Sequence, residues 1–197
     1  MKITKIETVR LTSRPTLIWV RVHTDEGLIG LGESWFGCAA IEADVHERIA
    51  PALIGADPSR IEALTRAARP YVGFCGTGAE IRAVSALDVA LWDLAGQAAG
   101  KPLYQLLGGA VRADIRVYNT CAGPDYVSQS SDVRPQNFGL AGTAPAHGRR
   151  LEDLTGFMQR PAELAAELLE MGISSMKICR STSPPAHSTA LTSRLRI

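Results

Sequence analysis

Ala83-Val-Ser-Ala-Leu-Asp88-Val-Ala-Leu-Trp-Asp93-Leu-Ala-Gly96-Gln97 runs on into Gly100-Lys-Pro102-Leu103-Tyr-Gln-Leu106-Leu107-Gly108-Gly109, and this stretch decides how the chain folds. Ile81, Val84, Leu87, Leu91, Leu94 and Ala98 recur at three- and four-residue intervals, the spacing of one face of a helix. The pattern predicts a helix over 80–99. Gly100-Lys101-Pro102 breaks it, Leu103 to Leu107 reads as one more helical turn, and Gly108-Gly109 stops that turn. Asp88 and Asp93 suggest paired carboxylates, but five residues on a helix set them about 140° apart, on different faces. Cap, salt-bridge or surface roles are the expectation for both.

Upstream, residues 2–33 read as three antiparallel strands: Lys2–Leu11, Leu17–Thr24 and Leu28–Glu33. Ile18, Val20 and Val22 share one face, and Leu17, Trp19, Arg21 and His23 the other. Asp25-Glu26-Gly27 supplies a turn, since glycine accepts the positive φ a hairpin demands. Gly30 and Gly32 weaken strand propensity and point to close packing against another backbone. Ile41, Val45, Ile49 and Leu53 mark the next helix, with Gly55 after it. Asp57 and Pro58 read as the start of another, striped by Ile61, Leu64 and Ala68 and ended by Pro70. Tyr71 to Gly78 reads as a loop.

Downstream, Asp114–Thr120 reads as a strand, Gly123–Arg150 as a long polar loop, Leu151–Glu170 as a helix facing a core through Leu164, Leu168 and Leu169, and Ile173–Ile178 as a second strand after Gly172. Strand, helix, strand is the βαβ unit of a parallel sheet or barrel. Residues 179–197 hold no acid and no apolar period, which is the composition of an aberrant or disordered tail and resembles a shifted reading frame.

Bulk numbers exclude several classes. Hydrophobic residues make up 46%, charged residues 21%, and the net charge is +1, so nothing suggests nucleic acid or an anionic membrane surface. No apolar run approaches the roughly 18 residues of a membrane span. Met1 to Glu7 has no apolar stretch of signal-peptide length, and the expected location is cytoplasmic. Cys38, Cys75, Cys121 and Cys179 make no Cys-x-x-Cys pair and read as free thiols. His23, His46, His147 and His187 form no ligand-spaced pair and read as surface or packing residues.

The run from Ala83 to Gly109 resembles the first signature of the mandelate racemase/muconate lactonizing family of the enolase superfamily. Thr24-Asp-Glu-Gly27-Leu-Ile-Gly30-Leu-Gly32-Glu33 is similar to the family's second-to-third strand hairpin, and Gly172-Ile-Ser-Ser-Met-Lys177-Ile178 to its second barrel strand. The resemblance implies an α+β capping domain over 1–112, three antiparallel strands plus helices. It implies the first βαβ part of a TIM-type (β/α) barrel over 113–178, cut off after the second strand. It also implies an enzyme that abstracts the α proton of a small carboxylate substrate such as a sugar acid and holds the enediolate on Mg²⁺, giving dehydration or isomerisation.

Residue by residue, Lys177 matches the first lysine of the family's Lys-x-Lys element and would lie near the substrate carboxylate or the metal; read on its own it is a solvated, idle lysine at a strand end, the common case for lysine. Cys179 stands where the second lysine would be and reads as an incidental thiol. The loops Leu11–Thr16 and Tyr71–Gly78 match places where the family's cap closes over substrate, which makes Thr12, Arg14, Tyr71 and Phe74 substrate-binding candidates; the competing reading is ordinary surface loops. The family's metal carboxylates and His base come from later barrel strands, so no metal ligand is expected in this chain and the chain alone is expected to be inactive. The alternative is a non-catalytic binding or assembly module derived from the cap. The resemblance also allows a homo-oligomer.

Overall fold

The computed structural model describes residues 1–71, 77–121 and 151–177. Three strands, β1 (Ile3–Leu11), β2 (Arg14–Thr24) and β3 (Ile29–Trp35), form an antiparallel sheet in the order β1-β2-β3. Alternation carries the fold here. Thr16, Ile18, Val20, Val22 and Thr24 are buried, while the intervening residues of β2 are half-buried. Gly27 takes φ 83 in the β2–β3 hairpin, as the turn requires.

On the buried face lies α4 (Ala79–Ala99). A Cβ added at Gly30 would fall 2.1 Å from the Ala90 carbonyl oxygen, and one at Gly32 would fall 1.8 Å from that of Ala86. The glycines therefore bring strand and helix into backbone contact, as their position in the strand predicts. The contact also moves the buried face of α4. Ala83, Ala86 and Ala90 join Val84, Leu87, Leu91 and Leu94 in the core, whereas Ile81 and Ala98 are exposed. The spacing alone places Ile81 and Ala98 on the core stripe. Backbone approach favours small residues, so the alanine side of the helix is the one that faces the sheet.

The outer edge of β3 is closed by the same helix. Asp93 accepts the Leu31 N–H at 2.9 Å, and Gln97 Nε2 donates to the Ile29 carbonyl at 2.8 Å and to Asp93 at 2.9 Å. Unpaired edge groups otherwise recruit other strands. Thr65 donates to Asp88 at 2.9 Å on another side of the helix. Both aspartates are structural, on separate faces.

The helix after β3 has three parts: α1 (Cys38–Asp44), a π turn (Val45–Ile49) and α2 (Ala50–Leu53). Pro51 lacks an N–H and its ring collides with a carbonyl one turn back, so a wider turn just before it lets the helix continue. Helix α3 spans Ile61–Ala68 and starts later than Asp57-Pro58 suggests. The Asp57 carboxylate accepts the Ser59 N–H at 2.9 Å and closes a separate turn. Arg60 then leaves helical dihedrals (φ −85, ψ 50) before the helix begins. A short α5 (Leu103–Leu106) follows α4.

Further along, α6 (Asp153–Gln159) and α7 (Pro161–Glu170) replace the single helix expected over 151–170. Pro161 cannot donate and disfavours helical dihedrals at Arg160, which sits at φ −140, ψ 55. Leu164 and Leu168 are buried with Leu151 and Cys121, but Leu169 is 63% exposed. Gly172 ends α7 at φ 80; its N–H donates to the Leu169 carbonyl and that of Ile173 to the Leu168 carbonyl, a Schellman motif. The strands expected at 114–120 and 173–178 reduce to one parallel bridge, Asn119 to Met176. Residues 111–118 are exposed, and parallel strands hold together when both faces are covered. Phe74, Cys75, His147, His187, Ile178, Cys179, the stretch 123–150 and the tail 179–197 lie outside the described residues.

Carboxylates tie β1 to its neighbours, and this has a pH consequence. Hydrogen bonds from Lys5 and then His23 hold the Glu7 carboxyl below its usual range. Burial pushes Glu42 up, but hydrogen bonds from Arg10 and Thr8 outweigh it and hold Glu42 low. The Ser59 N–H lowers Asp57. Folded values below unfolded ones stabilise the fold above the ordinary carboxylate range of about 4, and that stabilisation is lost as pH falls through it. The urea midpoint should therefore hold down to about pH 5 and drop by about pH 3. A midpoint that rises across that interval contradicts the assignment.

Candidate functional site

The β1–β2 turn places Thr12 and Arg14 together at one end of the sheet, both exposed, where Leu11 pairs with Arg14. The same end carries the corner between β3 and α1. Leu17 pairs with Trp35, and the Phe36 N–H donates to the Thr16 carbonyl at 2.8 Å. Helix α4 reaches this corner from below: Arg82 Nη1 donates to the Phe36 carbonyl at 3.0 Å. Gly78 precedes α4 at φ 77, and Tyr71 is fully exposed.

Two features of the corner are absent from the sequence-derived set. Phe36 adopts φ 55 although it is not glycine, and Gly37 follows at φ 71. The Trp35 and Phe36 rings sit with centroids 4.5 Å apart, and Trp35 is 48% exposed. Trp35-Phe36-Gly37, two aromatics and a glycine at a strand end, was the available signal. For Arg82 there was none. Beneath them Cys38 is buried, and burial pushes its thiol up, away from a reactive thiolate.

Lys177 belongs to a different group. Its N–H donates to the Asn119 carbonyl at 2.8 Å, its side chain is exposed, and it shares a shallow cleft with Arg116, Tyr118 and Ser175. Asn119 Nδ2 donates to Asp153 at 3.2 Å, and its carbonyl oxygen Oδ1 accepts the Cys121 N–H at 2.6 Å. Glu152 caps α6 by accepting the Leu154 and Thr155 N–H groups.

A guanidinium, hydroxyls and aromatic rings at the turn end can bind an oxygen-rich anion and exclude water. They are not proton-transfer groups at neutral pH. Mg²⁺ asks for near-octahedral oxygen ligands that include carboxylates. Among the described residues no three His, Cys, Asp or Glu side chains lie together to hold a metal ion. The described residues therefore do not fit Mg²⁺. Among the described residues, also, no helix is long and apolar enough to cross a membrane.

Comparison with known proteins gives the end of the sheet its context. Residues 4–108 match the mandelate racemase/muconate lactonizing enzyme N-terminal domain. The chain is 39% identical over 150 residues to a D-galactonate dehydratase of Verminephrobacter eiseniae, covering 72% of this chain and 38% of that protein. Among solved structures it is similar to an enolase of the mandelate racemase subgroup from Agrobacterium tumefaciens, with 43% identity and a TM-score of 0.67, covering 89% of this chain and 38% of that one. An enolase from Pantoea ananatis solved with D-gluconate and Mg is 37% identical with a TM-score of 0.52, over 64% of this chain and 32% of that one. The chain thus spans less than two fifths of the length of these relatives. A three-stranded antiparallel sheet backed by helices, matched across more than half of its residues, makes this chain a member of the mandelate racemase/muconate lactonizing enzyme family, within which it carries the N-terminal capping domain.

Proposed function

We propose that the chain supplies the cap of a dehydratase that removes the α proton of a sugar-acid carboxylate. Residues 1–112 are the cap, 113–178 begin the barrel, and 179–197 are an aberrant tail. In this reading Thr12, Arg14, Tyr71 and Phe74, with Trp35 and Phe36, face the substrate and exclude water, and Lys177 stands near its carboxylate. The observation that carries the reading is the identity with D-galactonate dehydratase over 150 residues; the D-gluconate held by the Pantoea ananatis relative fits the same substrate class.

Groups able to take the α proton are not assembled among the described residues, so the 197-residue chain by itself is proposed to be inactive. The test is an assay for the 3-deoxy-2-oxo acid formed from D-galactonate or D-gluconate with added Mg²⁺. The chain alone should give none. Residues 1–177 joined in frame to the rest of the Verminephrobacter eiseniae barrel should give turnover. Product from the chain alone, or a folded chimera inert on every sugar acid tried, would sink the proposal.

One observation favours a second reading, a binding or assembly module. Leu31, Val89, Leu103 and Leu107 are each more than two fifths exposed along β3, α4 and the turn after it. Such a strip is suited to cover by another surface. Light scattering distinguishes the cases: a monomer at high concentration, with no added barrel chain captured, goes against the module.

A further inference from the structure

We infer that Arg82 is a positioning residue whose task is to lock the left-handed corner at Phe36 and so fix the Trp35–Phe36 pair on the rim of the cap; its bearing on substrate rests on the function proposed above. Left-handed dihedrals are uncommon for bulky residues and persist only where surrounding structure over-determines them. Here the determinants come from two different elements. The sheet takes the Phe36 N–H through the buried Thr16, and the helix supplies a donor to the Phe36 carbonyl through Arg82. The peptide groups on both sides of the strained φ are pinned.

Burial does not do this work. Trp35 is about half exposed and Phe36 is only partly buried, so the ring pair has little apolar area to hold it in place. Its direction is set by the backbone that carries it. Helix α4 is well anchored, since its central turns are buried against the sheet. A guanidinium at its first turn transfers that rigidity to the corner.

The test is amide hydrogen exchange on the 197-residue chain, read by NMR, and it needs no substrate. Arg82→Ala should speed exchange at the Phe36 amide by about tenfold or more while Val20 and Val22, in the middle of β2, keep their protection. The Trp35 near-ultraviolet dichroism should fall with it. Arg82→Lys, which keeps a donor, should restore part of both. On a Phe36→Gly background the Arg82→Ala effect should shrink, because glycine holds the left-handed corner without help. Unchanged Phe36 exchange in Arg82→Ala overturns the inference. So does a parallel rise at Val20 and Val22, which marks general loosening of α4. Either failure speaks against Arg82 alone, whereas failure of the dehydratase reading shows in the chimera assay.

Discussion

Gly32→Ala is expected to unfold the capping domain, even though it adds a single methyl group. The new Cβ would lie 1.8 Å from the Ala86 carbonyl oxygen and 2.8 Å from its carbon, both main-chain atoms of a buried helix. A side chain in the way can rotate; a helix backbone cannot move without losing its packing on the sheet. Ordinary overpacking costs about 1–3 kcal/mol. A clash with helix backbone should exceed about 4 kcal/mol, much of a typical domain's whole stability of about 5–15 kcal/mol. Urea unfolding followed by circular dichroism checks this. Gly27→Ala is the control, since nothing lies within 4 Å of that site and its cost is only the strain of φ 83. If Gly32→Ala unfolds within about 1 kcal/mol of the parent, the close approach of β3 to α4 is wrong.

The second large effect is Leu91→Ala. Leu91 is fully buried within the cluster that joins α4 to β1, β2 and the helix after β3. Truncation removes apolar contacts and leaves a cavity whose walls include a sheet that cannot collapse inward, so the loss should reach about 2–5 kcal/mol. For a domain of this size that lowers the melting temperature by roughly 10 °C or more. Ile81→Ala, on the same sequence stripe but 36% exposed, should cost at most about 1 kcal/mol. Equal losses at the two positions would restore the stripe read from spacing and refute the alanine-faced packing.

Where Thr12, Arg14 and Lys177 sit in the chain's local structure was visible in the residues one at a time. Thr12 and Arg14 occupy the turn where alternation ends, and the structure keeps both exposed on it. Lys177 lies beside Asn119 across a parallel bridge, the arrangement expected from strand, helix, strand. What was not visible was the meeting of segments distant in sequence. Arg82 and Phe36 are separated by 46 positions, and no local pattern marks a hydrogen bond between a helix side chain and a loop carbonyl. Asp93 likewise reads as a cap, salt-bridge or surface residue, with no partner named, until β3 is laid beside it.

The sequence by itself determined which segments are strands and helices in the N-terminal half, because period-2 and period-3.6 burial is a local property of each segment. It also determined that Gly30 and Gly32 meet another backbone, because a strand interior tolerates glycine at a cost that close contact repays in packing. Only the tertiary structure decided which face of α4 turns inward, where the 151–170 helix breaks, and how far the strands at 114–120 and 173–178 actually pair. Those outcomes depend on what is available to cover a surface. The alanine face of α4 is buried because two glycines let the sheet come close, and residues 111–118 stay exposed because the short segment at 175–177 beside them leaves their faces uncovered among the described residues.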